Sequence, residues 1–232
     1  MKKFNILIPA YNASQTIVEL VNHLFQLEIK PEQIIVINDG STDETSNIAR
    51  GLNVNIVDLH QNQGKGAALL KGFEYFLKNS NEDYLICMDA DLQHSVKSIP
   101  DFLKSDAQFV IGNRDKSLKT MPFHRILSNV LTSKILSFVT GQKILDSQCG
   151  YRMIHREVIS KLELNEKGFQ LESEMIVEVA KMGKTIEFVD IPTIYNQSSS
   201  NINNVKDTLR FIRYIIKEIF KRITRLLDQS AD

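Results

Sequence analysis

The chain has 232 residues, 43% of them hydrophobic, enough for one large domain or a domain with an appendage. Its 28 Lys and Arg balance 28 Asp and Glu, which excludes a general nucleic-acid binder that relies on a basic surface. Two cysteines, Cys87 and Cys149, provide neither a disulfide framework nor zinc-ligand spacing, and point to a reducing cytosolic setting.

The start, Met1 to Pro9, carries lysines, but its apolar run is too short for a signal peptide. Nowhere is there an uncharged apolar stretch of the ~20 residues that a membrane-spanning helix needs. Phe4 to Ile8 reads as a first strand. Ser14 is placed to cap a helix with Ile17, Leu20, Val21, Leu24 and Leu27 at spacings of three and four. Gln33 to Ile37 is a second strand that breaks at Asn38-Asp39-Gly40-Ser41-Thr42-Asp43, a turn feeding another helix. Val54 to Leu59 is a third strand, and Gly64-Lys65-Gly66 opens a helix with Leu69, Leu70, Phe73, Phe76 and Leu77. Tyr84 to Met88 is a fourth strand, and Phe109 to Gly112 a fifth that ends at Asn113-Arg114. The polar residues 115 to 122 read as a mobile loop. A helix from about Phe123 to Val139 places Ile126, Leu127, Val130, Leu131, Ile135 and Leu136 on one side. A helix from about Gln170 to Met182 and a strand from Ile186 to Ile191 complete the alternation. This is the pattern of an α/β domain with a mostly parallel sheet, here over residues 1–196.

The fourth strand stops at two carboxylates, Asp89 and Asp91. Residues i and i+2 leaving a strand point the same way, so both can share one partner. Two such carboxylates repel unless a cation or proton lies between them, and a hard ion, Mg²⁺ or Mn²⁺, suits oxygen ligands beside phosphate. Ligands of parallel α/β sheets sit beyond the carboxyl ends of the strands. Asp39, Lys65, Asp89, Asp91 and Arg114 all fall there, which suggests a site for an anionic, metal-bound nucleotide. Each taken alone also fits ordinary turn or surface chemistry. The sequence lacks a third glycine for a dinucleotide fingerprint, a G-x-x-x-x-G-K-[ST] loop and a G-x-S-x-G elbow.

The ordered series Ile8-Pro9-Ala10-Tyr11-Asn12, Asp39-Gly40-Ser41-Thr42-Asp43, Asn62-Gln63-Gly64-Lys65-Gly66-Ala67 and Asp89-Ala90-Asp91-Leu92-Gln93 resembles the signature of family 2 glycosyltransferases. Gly112-Asn113-Arg114, Asp146 through Gly150-Tyr151-Arg152, and Phe169-Gln170-Leu171-Glu172-Ser173-Glu174 are similar to the dolichyl-phosphate mannose synthase-like branch. The likeness runs from about Phe4 to Ile194. It implies a GT-A fold, a single Rossmann-like domain, and an inverting hexosyltransferase that uses a nucleotide-diphosphate sugar of the GDP-mannose or UDP-glucose type. On that pattern Pro9, Tyr11, Asp39 and Lys65 serve the donor. Asp89, Asp91 and Gln93 hold Mg²⁺ or Mn²⁺ and the diphosphate, and Arg114 and Arg125 bind phosphates, the acceptor's among them. Asp146, Arg152, Glu172 and Glu174 belong to the acceptor's surroundings. The sequence departs from the pattern at Ala13 and Asn38, where acids are usual, and at Ser95, usually proline.

If the acceptor is polyprenyl phosphate, its nucleophilic oxygen is already ionised and needs no general base. A sugar or protein hydroxyl acceptor would need one, and Glu172 and Glu174 are the candidates. Either acid also suits a helix start or a pairing with Arg152. A non-catalytic nucleotide-sugar-binding subunit is the alternative outside enzymes.

Residues 197–232 read as a polar linker and an amphipathic C-terminal helix. Val205, Leu209, Ile212, Ile216, Ile219, Ile223 and Leu226 form its apolar stripe. Seven basic residues (Lys206, Arg210, Arg213, Lys217, Lys221, Arg222 and Arg225) stand against Asp207 and Glu218, a local charge of plus five. Such a helix suits an anionic membrane surface, and so a peripheral enzyme at the inner, cytoplasmic face. Packing on its own domain, on a second copy or on a membrane protein is the other use of the same stripe.

Overall fold

A computed structural model of the chain describes residues 2–117, 121–164, 168 and 170–194. The expected C-terminal helix lies outside the described residues, as does part of the loop at 115 to 122.

Seven strands form one sheet in the order β3-β2-β1-β4-β6-β5-β7. These are β1 (Phe4–Ala10), β2 (Ile34–Asn38), β3 (Asn55–Asp58), β4 (Tyr84–Cys87), β5 (Phe109–Arg114), β6 (Arg152–His155) and β7 (Ile186–Ile191). β1 pairs parallel with β2 and β4, β2 with β3, and β5 with β7. β6 runs antiparallel between β4 and β5. Every residue of β1 and β2 is buried, as expected for strands covered on both faces.

The helices are α1 (Ile17–Phe25), α2 (Thr45–Gly51), α3 (Lys65–Asn79), α4 (Ile99–Lys104), α5 (Phe123–Thr140), α6 (Arg156–Lys161) and α7 (Leu171–Lys181). α3 crosses β1 closely because Gly72 has no side chain; a Cβ there would come within 2.4 Å of Leu7 Cδ1.

Three points correct or extend the sequence reading. Ser14 does not cap α1: the residue before the helix is Thr16, without a side-chain cap bond, and the Ser14 N–H donates to Asp43 Oδ2 at 3.1 Å. β6 lacks a strand signal in the sequence because its run of four, Arg-Met-Ile-His, begins and ends on a polar side chain. The third concerns α5. Leu127 and Leu131, expected on one apolar side with Ile126, Val130, Ile135 and Leu136, are exposed, while Asn129, Ser133, Leu136 and Val139 are buried. The polar residues turn inward because they have work there: Asn129 Nδ2 donates to Asp146, and Ser133 Oγ accepts from the Ser147 N–H at 3.0 Å.

Candidate active site

The loops at the carboxyl ends of β1 and β2 brace each other. The Asn12 N–H donates to Ser41 Oγ at 2.9 Å, and the Thr42 N–H returns a bond to Asn12 Oδ1 at 2.9 Å. The Ala13 N–H donates to Thr45 Oγ1 at 2.8 Å. Burial would raise the Asp43 carboxyl, but hydrogen bonds from Thr45 and Ser14 outweigh it and hold the group at about 2. Tyr11 is left exposed at the rim, and Pro9 is buried inside β1.

Asp39 is buried, and its two oxygens accept from the Gln63 and Gly64 N–H groups, each at 2.8 Å. Burial pushes its carboxyl upward, partly offset by those bonds. The neighbouring Gly40 has φ +63°, and a Cβ there would lie 2.3 Å from the Gln61 backbone. So Asp39-Gly40 clamps the loop that leads into Lys65. Asn38, where an acid is usual, donates from Nδ2 to Asp58 Oδ1 at 2.7 Å. An amide suits that spot, since a second carboxylate would face Asp58 with like charge.

Past β4, the chain makes a tight turn with Leu92 at φ +63°. The Asp91 carboxylate accepts from the Gln93 N–H at 3.0 Å, and His94 Nδ1 accepts from the Asp89 N–H at 3.0 Å. His94 is buried and stacked on Tyr151 with ring centroids 5.0 Å apart. Burial keeps this imidazole below its usual range, although Asp89 pulls the other way.

Lys65 Nζ lies 2.6 Å from Asp89 Oδ1 and 2.8 Å from Glu172 Oε1. Burial opposes both charges. Yet the lysine is held above its ordinary range by Asp89 and Glu172, and Asp89 is held at about 2, chiefly by Lys65. Gly150 makes room for this pair, because a Cβ would sit 2.6 Å from Lys65 Nζ and 3.0 Å from Asp89 Oδ2.

Arg114 is fixed from behind. Its Nε and Nη2 donate to the two oxygens of Asp146 at 2.8 and 2.9 Å. Asp146 is fully buried and also accepts from the Gln148 N–H at 3.2 Å. Burial alone would raise its carboxyl, but Arg114 lowers it. Arg152 does not pair with the Glu172 carboxylate. It is buried, and donates to the backbone carbonyls of Cys149, Glu172 and Ser147 at 2.9, 2.6 and 3.0 Å. It thus ties the 146–151 loop to the first turn of α7. Glu174 is buried on that same turn.

These elements surround an open cleft. Asp89, Gln93, His94, Gly150, Arg114 and Arg125 line it, with Met121, Gln148, Thr193 and Ile194. Of the expected residues, the cleft brings together Asp89, Gln93, Arg114 and Arg125. Asp146 and Arg152 stand behind it, and Pro9, Tyr11 and Asp39 lie along the β1 and β2 ends. Sequence reading did not single out His94, Gly150, Gln148, Thr193 or Ile194. Only His94, next to the acidic turn, carries a local signal; the others arrive from distant loops.

Oxygen donors at the turn fit a hard divalent cation. Burial and the adjacent Asp89 charge push the Asp91 carboxyl upward, a strain that such an ion would relieve. Lys65 offsets one charge among Asp89, Glu172 and Asp91. Among the described residues, no three His, Cys, Asp or Glu side chains form a ready metal cage. An ion at this turn would draw on the oxygens of Asp89, Asp91 and Gln93 and would need its remaining ligands from elsewhere.

An α/β sheet whose carboxyl edge carries an acidic turn, with a lysine and two arginines at the same end, fits the GT-A fold. The chain belongs to glycosyl transferase family 2, whose family model matches residues 5–163. It is 29% identical to the UDP-N-acetylglucosamine--dolichyl-phosphate N-acetylglucosaminyltransferase of Methanococcus voltae, over 85% of this chain and 88% of that one. It is 26% identical to the dolichol-phosphate mannosyltransferase of Pyrococcus furiosus, over 99% of this chain and 65% of that one. The fold is similar to that of glucosyl-3-phosphoglycerate synthase from Mycobacterium tuberculosis, crystallised with Mn2+, UDP and phosphoglyceric acid. There the TM-score is 0.69 at 19% identity, covering 95% of this chain and 78% of that one.

Proposed function

We propose that this enzyme transfers a hexosyl group, with inversion, from a nucleotide-diphosphate sugar to a polyprenyl phosphate at a membrane surface. One observation carries the reading. Arg114 and Arg125 line the same cleft as Asp89 and Gln93, while Asp89 and Glu172 are paired with Lys65 and Asp146 with Arg114. A hydroxyl acceptor needs a base to take its proton. An acceptor phosphate brings an ionised oxygen, and needs only cationic groups that aim it. The relatives named for dolichyl-phosphate acceptors support the same choice.

In this reading the donor's nucleoside lies along Pro9, Tyr11 and Asp39, with its diphosphate at the turn. Asp89, Asp91 and Gln93 would hold Mg²⁺ or Mn²⁺, which offsets the charge growing on the leaving diphosphate. Lys65 keeps Asp89 ionised and in place. Arg114, fixed by Asp146, and Arg125 orient the acceptor phosphate so that its oxygen attacks the anomeric carbon as the bond to the diphosphate breaks. Asp91→Asn is expected to lower turnover roughly a hundredfold or more with the fold intact by circular dichroism.

The test is a panel of UDP- and GDP-sugars with Mn²⁺ or Mg²⁺, offered with a short-chain polyprenyl phosphate or the corresponding alcohol, and products read by mass spectrometry. Transfer to the phosphate and not to the alcohol is expected. Equal glycosylation of the alcohol, or of a sugar hydroxyl, would overturn the choice of acceptor.

A further inference from the structure

Between the end of β4 and Ser95 the chain doubles back on itself. The sheet stops bonding at Met88, whose N–H donates to the Leu7 carbonyl at 3.0 Å, so the next N–H, that of Asp89, has no strand to pair with. It donates instead to His94 Nδ1 at 3.0 Å. To bring the imidazole there Leu92 adopts φ +63°, a conformation that a leucine takes only at a cost. Such a turn persists only when its surroundings hold it, and here the ring that holds it is itself fixed. His94 is 5% exposed and lies nearly parallel to Tyr151, with 20° between the rings. Tyr151 is fully buried, packs on Phe102 with centroids 4.5 Å apart, and donates from its hydroxyl to the Ser95 carbonyl at 3.3 Å. The imidazole is thus seated on the 146–151 loop that also supports Arg114.

We infer that His94 is the positioning residue of the acidic turn: it sets the Asp89 carboxylate where a divalent cation of the donor complex requires it. Three contacts fix Asp89. His94 Nδ1 holds its backbone, Lys65 Nζ holds Oδ1 at 2.6 Å, and His94 Nε2 stands 3.8 Å from Oδ2. Because Nδ1 accepts a hydrogen bond, the proton of the neutral ring is on Nε2. The ring then has no lone pair left for a metal and no place for a substrate proton, so it acts through Asp89 alone. Removing an outer partner of a metal's ligand typically weakens the metal by about tenfold to a hundredfold. The inference rests on the reading of this turn as the seat of Mg²⁺ or Mn²⁺ bound with the donor.

Two variants separate the hydrogen bond from the packing. His94→Phe keeps a ring against Tyr151 and removes the acceptor. His94→Asn gives up the ring but offers Oδ1 at the position of Nδ1. Mn²⁺ binding by the full chain, with UDP and with GDP, is read from the electron paramagnetic resonance of the free ion, beside a thermal melt of each variant. His94→Phe should bind Mn²⁺ about tenfold more weakly or worse. His94→Asn should return to within about threefold of wild type, although it lacks the ring. In the wild-type chain, long-range proton–nitrogen spectra of histidine-labelled protein, with His94 identified through its contact with Tyr151, should show the proton on Nε2 at neutral pH. A proton on Nδ1, or on both nitrogens, overturns the inference even if neither variant folds. So does unchanged Mn²⁺ affinity in a folded His94→Phe, or a folded His94→Asn that binds no better than His94→Phe. If the wild-type chain takes up no Mn²⁺ with either nucleotide, the metal reading of the turn falls and this inference with it. If it does, and only the variants disagree, the metal reading stands and His94 serves the fold alone.

Discussion

Asp146 shows how much of this site is decided one residue behind the chemistry. It is fully buried, bidentate to Arg114, and held below the ordinary carboxylate range against the cost of burial. Asp146→Asn keeps the shape but leaves Arg114 without its charge partner, at an expected cost of roughly 3 kcal/mol. That corresponds to a fall in Tm of roughly 6–12 °C. The sign of the pH dependence follows from the lowered pKa. The pairing stabilises fully above the unfolded value, near 3.8, and is lost as pH falls through the lower folded value. Thermal melts from pH 7 to pH 2 should therefore show an acid-side loss that is shallower in the variant; identical slopes would remove Asp146 from the acid response. Arg125 belongs to the same scale. If it meets the acceptor, Arg125→Ala should raise KM for a short polyprenyl phosphate or lower kcat. Donor affinity, measured by calorimetry without acceptor, should change little; an equal loss there would move Arg125 to the donor. Motif residues such as Asp39, Lys65 and Asp89 were legible because turn chemistry at strand ends is local. The three carbonyls that Arg152 binds were not, since Ser147, Cys149 and Glu172 meet only through the fold.

Among the elements, strands buried on both faces, such as β1 and β2, announced themselves as runs of isoleucine, leucine and valine; these and β4, β5 and the edge strand β7 fall close to their expected ranges. β6 did not, being four residues long with Arg152 at one end and His155 at the other. α5 is the instructive case, because its apolar periodicity groups residues on one side without saying whether that side is buried. The competing signal was the polar row of Arg125, Asn129 and Ser133 at spacings of four. Two variants separate the faces. Asn129→Ala removes a donor to buried Asp146 and should cost about 1–3 kcal/mol. Leu127→Gln, on the exposed strip, should stay within about 0.5 kcal/mol. Urea unfolding measures both, and a larger loss at Leu127 would mean that the strip is covered in the free protein.

For the whole molecule, charge is neutral in sum but uneven in place. The stretch 205–226 carries plus five, so the described domain and the remaining termini balance it. If both that stretch and α5 face the bilayer, their charges and their apolar side chains contribute in physically different ways. Basic residues near an anionic surface add up to about 1 kcal/mol each, and this falls off with ionic strength. Apolar side chains among the acyl chains add a part that salt hardly changes. Removing residues 205–232 should therefore weaken vesicle binding most at low salt, where charge and apolar stripe both act, and less at high salt, where the stripe alone remains. The residual, salt-insensitive binding should then disappear when Leu127→Gln/Leu131→Gln is added. The shortened enzyme should still act on a short, soluble polyprenyl phosphate, because the cleft is built from residues 89–194. Co-sedimentation across a salt series, run on the intact chain, the truncation and the combined variant, gives the two parts separately. If the truncation binds as well as the intact chain at low salt, the basic stretch serves packing or self-association and α5 carries the membrane contact alone. If the truncation loses all binding at every salt concentration, the strip on α5 contributes nothing, and the cleft reaches its lipid through the C-terminal stretch.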